Sequence, residues 1–274
     1  MKLYRTLHGV VLEQEDALYQ LALDWDELFR SDDIAGLLLA AAANAPRLGS
    51  LVDAPLIAPV GSQEIWAAGV TYWRSRTARM EESKDAGGGS FYDRVYEAER
   101  PELFFKAAGW RARGPGQPVR IRRDSRWNVP EPELVICADA RGRIVGYTIG
   151  NDMSSRDIEG ENPLYLPQAK IYDGACAIGP CLLVSPAPLP PDTPIALTIR
   201  RGGKIVHQGR AKLEQMRRFP QELVNWLYRE TTFPAGAYLF TGTGVVPPDD
   251  FTLGRGDEVR IEIPPIGVLE NVVE

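Results

Sequence analysis

From Ile65 to the C-terminus one pattern recurs, in which short apolar runs are separated by Gly, Pro and Asp. The runs fall at 65–70, 103–106, 119–122, 133–138, 144–150, 176–184, 195–201, 205–208, 237–241 and 258–263. Short apolar runs bounded by turn formers predict strands, and a succession of them predicts a β-rich domain. Glu222 to Tyr228 has instead the spacing of a short helix. The first fifty residues read differently. Tyr4 to Leu12 predicts a strand, and Asp24 to Phe29 and Ile34 to Asn44 predict helices, with Asp32 or Asp33 as N-cap. The Pro-containing stretch from Ala54 to Gly61 marks a boundary. The expected organisation is a small N-terminal α/β domain over 1–58 followed by a β-rich domain over 59–274.

The run Pro130-Glu131-Pro132-Glu133-Leu134-Val135-Ile136-Cys137 carries the most informative polar pattern. Positions i and i+2 of a strand share a face, so Glu131 and Glu133 project together. Ala138 to Arg143 reads as a turn and Ile144 to Gly150 as the return strand. With the turn centred near Ala140 and Arg141, position 131 is expected opposite 151, which brings Asp152 beside Glu131. Three clustered carboxylates repel one another unless a cation lies between them. An all-oxygen set without histidine favours a hard divalent ion, Mg²⁺, Mn²⁺ or Ca²⁺. The plainer alternative is that Glu-x-Glu marks a solvated strand face.

Composition narrows the chemistry. The formal charge of −6 gives no electrostatic case for nucleic acid or an anionic membrane. No apolar run is long enough to span a bilayer, and the N-terminus lacks a signal-peptide core. Cys137, Cys176 and Cys181 have no ligand-like spacing, and Cys137 and Cys176 sit in apolar runs as buried thiols; a reducing cytoplasm fits them. His8 and His207 are the only histidines and lie in no motif, which argues against zinc hydrolysis and a Ser-His-Asp arrangement. The stretch 72–100 is dense in charge and contains Gly87-Gly88-Gly89-Ser90 between two helical patterns, Arg76 to Lys84 and Tyr92 to Arg100. A charged, glycine-hinged insertion in a β domain is expected to act as a lid, with an exposed loop as the alternative.

Several segments together resemble the fumarylacetoacetate hydrolase superfamily: Ala68-Gly69-Val70-Thr71-Tyr72, Phe104-Phe105-Lys106, Glu131-Pro132-Glu133-Leu134, Gly146 to Asp157, Thr241-Gly242-Thr243-Gly244 and Gly256-Asp257-Glu258-Val259. The resemblance spans about 59–274 and implies an α+β, β-rich fold, a mixed β pseudo-barrel, assembled as a homodimer or homotetramer. It implies that Glu131, Glu133 and Asp152 hold Mg²⁺, with Mn²⁺ also suitable. Arg156 to Tyr172 and Trp127 to Leu134 are similar to the superfamily's 2-keto-3-deoxypentonate dehydratases. Hydrolase members carry a His and a Glu in the lid where this chain has Ser75 and Ala78, which counts against C–C bond hydrolysis.

The reaction this implies is dehydration of a 2-keto-3-deoxy sugar acid to 2,5-dioxopentanoate. The metal polarises the 2-oxo group and stabilises the enolate formed when a C3 proton is removed. Hydrolysis or decarboxylation of an acylpyruvate-like acid on the same site is the alternative. Lys170, alone in an uncharged stretch, is the expected partner of the substrate's oxygens, or a base. Glu102, entering an apolar strand, and Glu82 on the lid, next to Glu81, are the acid/base candidates. Arg156 is expected to bind a carboxylate or to pair with Asp157. Thr243, with Thr241, offers backbone N–H groups and hydroxyls. Tyr165 and Gln168 are candidates for reading the sugar hydroxyls. Lys106 contacts substrate or supports the metal carboxylates. Trp66, Trp73 and Trp127 are expected to pack.

Overall fold

The computed structural model describes residues 1–51, 55–74, 77 and 94–274. The N-terminal part holds β1 (Lys2–Thr6), β2 (Gly9–Gln14), β3 (Ala17–Leu21), α1 (Trp25–Leu28), α2 (Ile34–Ala42) and β4 (Arg47–Leu48). The strand expected over 4–12 is a hairpin. Thr6 Oγ1 accepts from the His8 N–H at 3.0 Å and donates to the Gly9 carbonyl at 2.9 Å, and Gly9 turns at φ +119°. Both helices start where an aspartate caps them, Asp24 for α1 and Asp33 for α2.

The remaining elements are β5 (Glu64–Gly69), β6 (Glu102–Ala108), β7 (Asn128–Ala138), β8 (Ile144–Ser155), α3 (Arg156–Glu161), α4 (Leu166–Lys170), β9 (Cys176–Val184), β10 (Pro194–Arg201), β11 (Lys204–Lys212), α5 (Pro220–Leu227), β12 (Ala237–Phe240), β13 (Glu258–Ile263) and β14 (Gly267–Val272). Among the described residues the strands form two sheets, ordered β4-β3-β2-β1-β9-β8-β7-β12-β5-β6 and β11-β10-β13-β14. The β12–β5 pair is parallel and its neighbours are antiparallel, so the large sheet is mixed. It curls into a barrel because the chain after β6 returns to β9: Arg113 bridges Ala177, its N–H donating to the Cys176 carbonyl at 2.9 Å and its carbonyl accepting from Ile178 at 2.8 Å.

Two cores flank the wall made by β7, β8 and β9. Val135, Cys137, Cys176, Ile178 and Phe240 fill the barrel, and Trp25, Leu28 and Phe29 of the N-terminal part belong to the same cluster. The N-terminal part therefore contributes both strands and side chains to the barrel. Trp25 Nε1 donates to the Tyr238 hydroxyl at 3.3 Å, and the Phe29 and Tyr238 rings lie 5.5 Å apart. On the outer side, Leu134, Ile136, Tyr147 and Ile149 pack under Ile195, Leu197, Val259 and Ile261 of the smaller sheet. A wall covered on both faces has no solvated side, and every residue of β7 is buried. Cys137, Cys176 and Cys181 are buried free thiols. Trp66 packs edge-on to Phe105 and Phe233, whereas Trp73 stays largely exposed. Among the described residues no helix is long and apolar enough to cross a membrane.

Candidate metal centre and its surroundings

The β7–β8 hairpin sets the geometry. Glu131 lies directly opposite Asp152 and Glu133 opposite Gly150, one position away from the register expected from the turn. The cause is a bulge at Cys137/Ala138, which adds one residue to β8 and advances every pair beyond it. Paired residues share a face, so the shift makes Asp152 a direct cross-strand partner of Glu131. One carboxylate oxygen from each of Glu131, Glu133 and Asp152 lies within 4.8 Å of the other two, and all three residues are buried. They belong to the barrel-facing side of the wall, in line with Val135 and Cys137.

Three buried cations face these carboxylates. Lys170 Nζ, at the end of α4, donates to Glu131 Oε2 at 2.8 Å, Asp152 Oδ2 at 3.3 Å and Ser154 Oγ at 2.6 Å. Arg156, the first residue of α3, donates to Glu131 Oε1 at 2.8 Å. Lys106 of β6 pairs with Asp152 Oδ1 and donates to the carbonyls of Met153 and Lys170, so its visible contacts support the aspartate. Glu133 receives instead the Gly242 N–H at 2.5 Å. Burial, and then the charges of Asp152 and Glu131, push the Glu133 carboxyl well above its ordinary range. Three buried carboxylates this close repel one another, and an all-carboxylate donor set at this spacing fits a hard divalent ion.

The Thr241–Gly244 turn is fixed to β7 around these glutamates. Thr241 Oγ1 donates to Leu134 O at 2.9 Å and Thr243 Oγ1 to Pro132 O at 3.0 Å. Thr243's hydroxyl thus holds the strand between the two glutamates. Gly242 sits at φ +84°, and a Cβ there would lie 2.1 Å from Thr71 Oγ1, so the turn needs glycine. Glu102 opens β6, opposite Gly69, with its carboxylate over the glycine's Cα. It lines a cavity of about 840 Å³ with Arg100, Leu103, Asn162 and Leu164. Tyr165 and Gln168 lie at the surface beside this region, and the Gln168 carbonyl accepts from Arg122. Arg156 pairs with Glu131 and not with Asp157, which accepts from Ser125 and the Arg126 N–H. Glu81, Glu82, Ser75, Ala78 and the glycine run lie outside the described residues.

Three contributors carried no signal strong enough to single them out. Ser154 bonds Lys170 from the strand itself. Tyr72 is buried near Glu133, and its phenol is pushed up by burial and then by that carboxylate. Glu159 is buried with an oxygen 3.9 Å from Lys170 Nζ. Only helical spacing from Arg156 could have pointed to Glu159, since i and i+3 share a helix face.

A buried cluster of carboxylates and cations at the mouth of a mixed barrel defines a divalent-metal enzyme site. The chain belongs to the fumarylacetoacetate (FAA) hydrolase family, whose C-terminal domain model matches residues 70–274. It is 49% identical over 226 residues to the probable 2-keto-3-deoxyxylonate dehydratase of Haloferax volcanii, covering 82% of this chain and 76% of that protein. It is 42% identical over 224 residues to the 2-dehydro-3-deoxy-D-arabinonate dehydratase of Saccharolobus solfataricus, covering 81% and 75%. Among solved structures, 2-keto-3-deoxy-D-arabinonate dehydratase complexed with magnesium and 2,5-dioxopentanoate superposes with a TM-score of 0.84 at 33% identity, over 100% of this chain and 99% of that one.

Proposed function

We infer that this chain is a Mg²⁺-dependent hydro-lyase that converts a 2-keto-3-deoxypentonate to 2,5-dioxopentanoate. The observation that carries the reading is the Glu131–Glu133–Asp152 trio, backed by Lys170 and Arg156, in a chain so similar to two named pentonate dehydratases. Mg²⁺ held by the trio supplies Lewis acidity toward the 2-oxo group.

The chain's own groups do the rest. Lys170 places a buried ammonium where negative charge develops on the substrate oxygens. Glu102, facing the cavity, takes a C3 proton and gives it to the C4 oxygen. The C4–O bond breaks, water leaves, and the C3=C4 enone tautomerises to the C5 aldehyde. Tyr165 and Gln168, at the rim, contact the outer hydroxyls, and Thr243 keeps the loop N–H groups in place. Among the described residues, with Glu159 included, the cluster holds four carboxylates and three cations. A divalent ion then leaves one net positive charge, which a monocarboxylic oxo acid neutralises. We place the enzyme in the cytoplasm, as a homodimer or homotetramer.

Incubation with Mg²⁺ and either a 2-keto-3-deoxypentonate or acetylpyruvate tests the reading. Release of 2,5-dioxopentanoate from the sugar acid is expected, and turnover of acetylpyruvate alone would overturn it.

A further inference from the structure

We propose that Glu159 is a positioning residue that holds Lys170 in place for the reaction, an inference that rests on the dehydratase reading above. Glu159 sits on α3, three residues after Arg156, and both side chains are buried while Glu161 is exposed. Its carboxylate approaches Lys170 Nζ to 3.9 Å from a different element than those carrying Glu131, Asp152 and Ser154. It stands outside the set of carboxylates close enough to share one ion.

That separation gives Glu159 its role. Glu131 and Asp152 have two demands on them, the metal and Lys170. Glu159 has no part in metal binding, so its attraction for the ammonium persists when a divalent ion draws on the other two. A buried cation that loses part of its compensation is free to move toward other partners or solvent. Glu159 anchors it from α3 and keeps Nζ turned to the substrate oxygens. Its surface-like sequence context, Ile158-Glu159-Gly160-Glu161, conceals this.

The test is a double-mutant cycle between Glu159 and Lys170. Its probe is oxalate, a planar mimic of the enolate of a 2-oxo acid, with 2-oxobutanoate as the ground-state control. In the Mg²⁺-loaded protein, Glu159→Gln is expected to lower kcat about 10–100-fold, the usual scale for a supporting residue. KM and 2-oxobutanoate affinity should stay within about threefold, because the loss falls on the developing charge. Oxalate affinity should fall about tenfold or more with Lys170 present and less than about twofold in a Lys170→Met background. Mg²⁺ affinity by calorimetry should stay within about threefold. Glu159→Asp keeps the charge one methylene further back and should show an intermediate loss of oxalate affinity, again only with Lys170 present. It reads the same cycle should the Gln variant not fold. Equal oxalate losses in both backgrounds, or unchanged kcat and oxalate affinity in both variants, would overturn the proposal. Failure of the unmodified enzyme to dehydrate a 2-keto-3-deoxypentonate would instead sink the dehydratase reading, while the oxalate cycle would still report on Glu159.

Discussion

Two strands of this protein carry nearly the same polar alternation, with opposite meaning. In β13, Glu258, Arg260 and Glu262 alternate with buried Val259, Ile261 and Ile263, and in β7 Glu131 and Glu133 alternate with Pro132 and Leu134. β13 lies in a sheet with one covered face. Its charges meet water, and Arg260 pairs with Glu262 at 3.0 Å and Glu270 at 2.9 Å there. β7 runs in a wall with a core on each side, so its glutamates have no water to face. Exposed pairs contribute about 0–1 kcal/mol. Buried charges oppose folding unless paired, and where several like charges converge the chain is built to bind a cation. What covers a strand, more than its pattern, decides what its charges do.

The contrast can be broken most severely at Glu133. Glu133→Gln should lower turnover at least about a thousandfold, or about 4 kcal/mol of barrier, and abolish Mg²⁺ binding measured by calorimetry. The metal-free variant should melt no lower than the parent, since one of three repelling carboxylates is gone. Melting far below the parent would mean that the charge serves the fold.

Gly242→Ala comes next. It forces a Cβ against Thr71 Oγ1 at positive φ and disturbs the N–H that serves Glu133. Strain and overpacking together should cost about 2–3 kcal/mol, visible in thermal melts as a drop of several degrees. An unchanged melting temperature would show that the turn relaxes without loss.

pH gives the third test. Because the folded Glu133 carboxyl is raised, its contribution to metal-free stability is fully present below its unfolded pKa and is lost as pH rises through the folded value. Metal binding needs the ionised form, so the sign reverses. Mg²⁺ affinity should rise with pH, by up to about tenfold per unit, with proton release. Calorimetry in two buffers of different ionisation enthalpy reads the protons directly, and pH-independent affinity without release would contradict the raised carboxyl.

The smallest effect belongs to β13. Arg260→Ala should change stability by less than about 0.5 kcal/mol and leave turnover intact. A loss of several degrees in melting temperature would erase the distinction between the two strands.

The sequence made some of this legible and hid the rest for identifiable reasons. Strand runs bounded by Gly, Pro and Asp located β5 to β13, although 119–122 makes only an isolated bridge at Val119, and of the two aspartates offered as a cap for the second helix Asp33 is the one that caps it. The carboxylate trio was visible because hairpin pairing is nearly local. Its register differs by one residue from that of a regular hairpin because nothing in Cys137-Ala138 announces a bulge. The apolar run Tyr4 to Leu12 concealed a turn that Thr6 and Gly9 make. Glu159 was invisible because a short helix turning back onto the site is a tertiary event, and its glutamate looks like any surface acid until the packing is known.

The bulge at Cys137/Ala138 has a consequence for length as well as for register. Side chains alternate faces strictly, so the hairpin works like a reading frame. Straighten the bulge without changing the chain length and the downstream strand is misread: Asn151 would turn into the lumen and Asp152 toward the second sheet. Deleting Val145, the one residue there without a partner on β7, would instead regularise the ladder and leave Asp152 opposite Glu131, so bulge and strand length together decide which side chain becomes a ligand.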